Sequence, residues 1–91
     1  MIKNENRRKR VEIILEKIQA FEEIMDDLKN GIEAIKEEEI DYMKNTSGKA
    51  QENAKFAVGE LTAAYNEMEV VEKSLLETIA ALTFAIEGKN L

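Results

Sequence analysis

Two heptad stripes of nearly equal length run along this 91-residue chain and mirror each other about a short break at Asn45-Thr46-Ser47-Gly48. The first reads Val11, Ile14, Ile18, Phe21, Met25, Leu28, Ile32, Ile35, Glu39, Tyr42. The second reads Ala50, Ala54, Ala57, Leu61, Ala64, Met68, Val71, Leu75, Thr78, Leu82, Ala85. Alternating steps of three and four place such residues on one side of a helix. Folded at the break, the stripes meet in layers. Leu28 is expected to face Ala64, Phe21 to face Val71, Met25 to face Met68, and Val11 to face Leu82. The expected fold is all-α: an antiparallel two-helix hairpin of coiled-coil type, forming one domain over residues 1–91.

The helix boundaries follow from capping chemistry. Asn4 or Asn6 can accept a hydrogen bond from the first free backbone N–H groups, which starts helix 1 at about residue 6. It should run to about 44, with Asn45 suited to a left-handed end. The turn covers 45–48, with Thr46 or Ser47 as a cap. Helix 2 runs from about 48 to 87, and Gly88 stops it. Each helix is then roughly 60 Å long. No proline interrupts either one.

One seam per helix leaves apolar residues over. Val58, Tyr65, Ile79 and Ile86 form a further line at seven-residue spacing, broken by Glu72, and Ile24 is an extra apolar residue of helix 1. A stripe wider than one seam packs against more than one neighbour. These five residues are therefore the expected interface of a homodimer or higher assembly, the hairpins self-associating into a helical bundle.

Composition narrows the chemistry. The chain has no His, Cys, Trp or Pro. The usual zinc ligands and the commonest general base are missing, so neither a metal, a cofactor nor catalysis is expected. No nucleotide-binding loop or nucleophile motif occurs. Cysteine-free chemistry fits a reducing cytoplasm. The apolar segments fall short of a membrane span, and no apolar stretch of signal-peptide type follows the basic start. Charge is uneven: the net is −6, yet residues 1–10 carry +4 and the rest −10. An acidic body argues against broad nucleic-acid binding.

Four features could bind something. Arg7, Arg8 and Arg10 cluster within four positions, beside the expected end of helix 2 near Phe84 and Lys89. Guanidinium forks suit phosphates and carboxylates, although a solvated, frayed end reads equally well. Tyr65 and Asn66, with Thr62, form a second polar-aromatic group, where tyrosine also serves as a flanking core residue. Glu39 sits in the seam opposite Ala54, and an acidic run surrounds it. A carboxylate there sets register more often than it does chemistry. Gly31 and Gly59 interrupt helix interiors at similar heights, which suggests a bend, room for a ligand or, the commoner cause in bundles, close approach of another helix.

The layout resembles a group of short helical proteins of bacteriophages and prophages. The resemblance rests on Arg7-Arg8-Lys9-Arg10, on Glu37-Glu38-Glu39-Ile40-Asp41-Tyr42, and on the spacings Ala57 to Leu61 and Leu75 to Ile79 in an alanine-rich second helix. It spans most of the chain, but the longer, proline-containing turn of that group is absent. Most of that group has no assigned role; by analogy of size, shape and context, some small helical phage proteins oligomerise and hold nucleotide immune signals without cleaving them. The resemblance thus implies a non-enzymatic homo-oligomer in a bacterial cytoplasm, a counter-defence sponge with an anionic nucleotide ligand. The alternative is a scaffold or inhibitor that docks a host or phage protein through an apolar helix face.

Overall fold

The computed structural model describes residues 1–88 and consists of two helices, α1 (Glu5–Lys44) and α2 (Gly48–Glu87), each of 40 residues. The chain is an all-α helical hairpin. Asn4 caps α1, its Oδ1 accepting the Arg7 N–H at 3.0 Å. At the other end of α1 the Asn45 side chain donates to the Asp41 carbonyl at 2.7 Å. Asn45 does not turn left-handed; among the described residues positive φ is confined to glycine. That conformation falls to Gly48, at φ 64°, where α2 begins, and to Gly88, at φ 75°, which ends α2 as expected. Glycine meets no Cβ penalty there. Among the described residues no helix is long and apolar enough to cross a membrane.

The hairpin divides into two compact units. One comprises Met1–Ile24 with Val71–Leu91, the other Met25–Val70. In the second unit two cross-helix contacts set the register. Lys29 Nζ lies 5.1 Å from the centre of the Tyr65 ring, and Gln51 Nε2 donates to the Met43 carbonyl at 3.1 Å. Both pairs have residue numbers that add to 94. Lys36 and Val58 share the layer between them by the same rule. Layers with numbers adding to 93 alternate with these: Glu39 with Ala54, Ile32 with Leu61, Met25 with Met68. Met25 and Ala54 are buried, each 3% exposed. The first unit has the same register: Arg8 donates to the Ile86 carbonyl, and Leu15 and Ile86 are its buried residues.

Half of the expected seam therefore stands and half is turned away. Val11, Ile18, Met25, Ile32 and Glu39 point inward, as do Leu61, Met68, Leu75 and Leu82. Ile14, Phe21, Leu28, Ile35 and Tyr42, assigned to the seam by spacing, are instead about half exposed. Their places are taken by Leu15, Glu22, Lys29, Lys36 and Met43. On α2, Val58, Tyr65, Glu72, Ile79 and Ile86 replace Ala57, Ala64, Val71, Thr78 and Ala85. On α2 this orientation covers valine, tyrosine and isoleucine rather than alanine, each square ångström of apolar surface withdrawn contributing roughly 25 cal/mol, while on α1 it leaves five large apolar side chains half exposed. The α1 side then accepts lysines, whose alkyl stems can lie along apolar surface while the charge is satisfied elsewhere. Lys36 pairs with Glu33 at 3.3 Å, and Lys29 rests on the Tyr65 ring.

Candidate functional site

The arginine cluster lies in the first unit and is built on an ordered end. The Ile2 N–H donates to the Ala85 carbonyl at 2.6 Å, which pins the segment before α1 to the last turn of α2. The Gly88 N–H closes that turn onto the Phe84 carbonyl at 2.8 Å. Helix α2 has no basic residue in its own last turn. Arg8 supplies one from across the hairpin: its Nη1 donates to the Ile86 carbonyl and, at 3.0 Å, to that of Ile2. A cation here satisfies a carbonyl that helix geometry leaves open and opposes the negative end of the helix dipole. Arg8 is thus committed to the fold.

Arg7 and Arg10 point elsewhere. They line an open cleft of about 220 Å³ with Ile2, Val11 and Ile14. Residues 7, 10, 11 and 14 follow the i, i+3, i+4, i+7 pattern of a single helix face, with the two guanidinium groups beside an apolar floor. Neither guanidinium has a carboxylate partner among the described residues, whereas nearby Lys9 pairs with Glu5 at 3.6 Å on the exposed side. Arg8 lies one step back along the line Leu15, Glu22 and Lys29 that faces α2, whereas the spacing of Ile14, Phe21 and Leu28 would have put Arg7 there. The apolar floor was not anticipated. Lys89 lies outside the described residues.

The other candidate residues are placed as follows. Tyr65 is half-buried under Lys29, in the seam of the second unit, and Asn66 is exposed. Thr62 donates its hydroxyl to the Val58 carbonyl at 2.9 Å within its own helix. Tyr65 and Thr62 thus belong to the helix packing of that unit, while Asn66 faces outward. Of the residues expected to face a second copy, Ile86 is 4% exposed, Val58, Tyr65 and Ile79 are half-buried within the hairpin, and Ile24 is exposed. Glu39 is half-buried over the buried Ala54. Among the described residues no group of three His, Cys, Asp or Glu side chains could hold a metal ion. A hollow of about 500 Å³ lies in the second unit beside the turn, between Met43, Lys44, Gln51, Glu52, Lys55 and Val58.

The chain is thus an α-helical hairpin in which Arg7 and Arg10, with no carboxylate partner among the described residues, stand beside Ile2, Val11 and Ile14. Comparisons with models of protein families, with curated proteins and with solved structures find no match.

Proposed function

We propose that the protein is a non-catalytic binding protein that captures an anionic ligand of nucleotide type. The observation that supports this reading is the cleft in which Arg7 and Arg10 stand beside Ile2, Val11 and Ile14. A nucleotide has the matching parts: phosphate oxygens for guanidinium forks, and a flat base for an apolar floor. In the phage setting suggested by the layout, such a protein is a counter-defence sponge that removes a bacterial signal by binding it unchanged. Calorimetry against cyclic and linear nucleotides tests this. Binding should weaken by about 1–3 kcal/mol for each guanidinium removed, as in Arg7→Ala or Arg10→Ala. Ligand recovered chemically altered after incubation would overturn the non-catalytic part. No heat with any nucleotide at millimolar concentration would overturn the ligand class.

A second reading is a scaffold or inhibitor docking another protein. The outer line of α2 favours it, because Phe56 and Val70 of the second unit are 70% and 61% exposed. An aromatic residue so open suits an anchor that a partner covers. Phe56→Ser would abolish capture of such a partner and leave nucleotide binding intact.

A further inference from the structure

The geometry points to a second copy of this chain as the occupant of one particular face, with α1 of each copy packed on α2 of the other. This goes beyond the nucleotide reading and does not depend on it. The face is described in the second unit. There Leu28, Ile35 and Tyr42 of α1 are each about half exposed, at seven-residue spacing. The same heptad position of α2 holds Ala50, Ala57 and Ala64. In an antiparallel pair these two lines flank the seam on one side. The register puts Leu28 level with Ala64, Ile35 with Ala57, and Tyr42 with Ala50. The opposite flank holds Asp26, Glu33, Ile40, Lys55, Thr62 and Glu69, and is largely polar. One side of the unit is therefore a ridge of large apolar residues beside a trough of alanines, and the other side is wet.

Ridge and trough on one surface are self-complementary under a two-fold axis along the helices. That axis keeps the turns of both copies at the same end. It sets the Ile35 ridge of each copy into the Ala57 trough of the other, at equal heights and with antiparallel helices throughout. A two-fold axis across the helices would put ridge on ridge and alanine on alanine, which demands two different helix separations in one rigid interface. Gly31 agrees with the first arrangement. It lies between Leu28 and Ile35 at the outer edge of the ridge, and a Cβ there would meet nothing within the chain.

The exposed area is sufficient. The chain exposes 6921 Å², where a compact chain of its mass exposes roughly 5,400 Å². The excess of roughly 1,500 Å² exceeds the ~800 Å² per partner of a standard interface. Among the described residues four apolar side chains are buried, and none of them lies below 2% exposure.

Cysteine cross-linking of the full chain tests the packing mode, since the chain has no cysteine of its own. Ile35→Cys and Ala57→Cys are made as separate proteins, and sedimentation gives the oligomeric state of each. The mixture of the two should oxidise to a covalent dimer joining one of each. Ile35→Cys alone should not cross-link at the same concentration. Ala57→Phe should raise the dimer dissociation constant about tenfold or more, and adding Ile35→Ala should restore it. Helicity by circular dichroism should be unchanged in all of them. Three outcomes overturn the proposal: a monomer at 100 μM, by the order of magnitude usual for weak complexes; cross-linking of Ile35→Cys with itself in preference to the mixture; or no compensation in the double variant. None of these bears on nucleotide binding, which Arg7→Ala and Arg10→Ala report separately.

Discussion

Arg8 separates itself from its neighbours by what its guanidinium touches. It closes the open carbonyl of Ile86, while Arg7 and Arg10 stand over the cleft. Arg8→Ala should therefore cost stability, about 1–2 kcal/mol for charge-assisted hydrogen bonds at a helix terminus. Arg7→Ala and Arg10→Ala should stay within about 0.5 kcal/mol of the parent. Urea unfolding of the three variants checks the split. A loss on Arg7→Ala equal to that on Arg8→Ala would contradict it. Asn4→Ala removes the cap seen on the Arg7 N–H and should cost about 1 kcal/mol. The arginine cluster was legible as a chemical type from the sequence. Its division of labour was less so, because the division depends on which line of α1 faces α2, and composition does not encode that.

At the scale of the helices, existence, ends and order follow from periodicity, caps and glycine. The facing side does not. Each helix carries apolar residues on three adjacent heptad lines, so two different pairs of lines make a plausible seam. Spacing favours the pair containing Phe21 and Leu28, and the structure uses the pair containing Leu15 and Met43. On α2 that pair takes in Val58, Tyr65, Ile79 and Ile86 rather than a line that is mostly alanine, while on α1 it leaves Ile14, Phe21, Leu28, Ile35 and Tyr42 about half exposed, so local spacing does not select it. Met25 belongs to both descriptions and is 3% exposed. Met25→Ala should cost about 2–5 kcal/mol, measured by thermal or denaturant unfolding. The two internal glycines make a contrasting pair. Neither is packed by a neighbour within the chain, contrary to the expectation of close approach there. Gly59→Ala should raise stability by about 1 kcal/mol through helix propensity alone. Gly31→Leu should instead weaken self-association by obstructing the ridge beside Leu28 and Ile35, which sedimentation would show; an unchanged association constant would count against the two-fold packing.

For the whole molecule the consequence lies in its thermodynamics. The seam contains Arg8, Glu22, Lys29, Lys36 and Glu72 among its facing positions, and among the described residues very few apolar side chains are fully withdrawn from water. Unfolding an isolated hairpin therefore hydrates little new apolar surface, and exposure of apolar surface is what raises the heat capacity. Calorimetry of dilute protein should return a heat-capacity increment below the ~12–15 cal/mol/K per residue of ordinary globular domains. The urea dependence of its stability should be correspondingly shallow. As concentration rises and ridge meets trough, the increment should grow toward the ordinary value and the melting temperature should climb with it. A polar seam thus makes the heat capacity of unfolding a gauge of how much of the protein has found its partner.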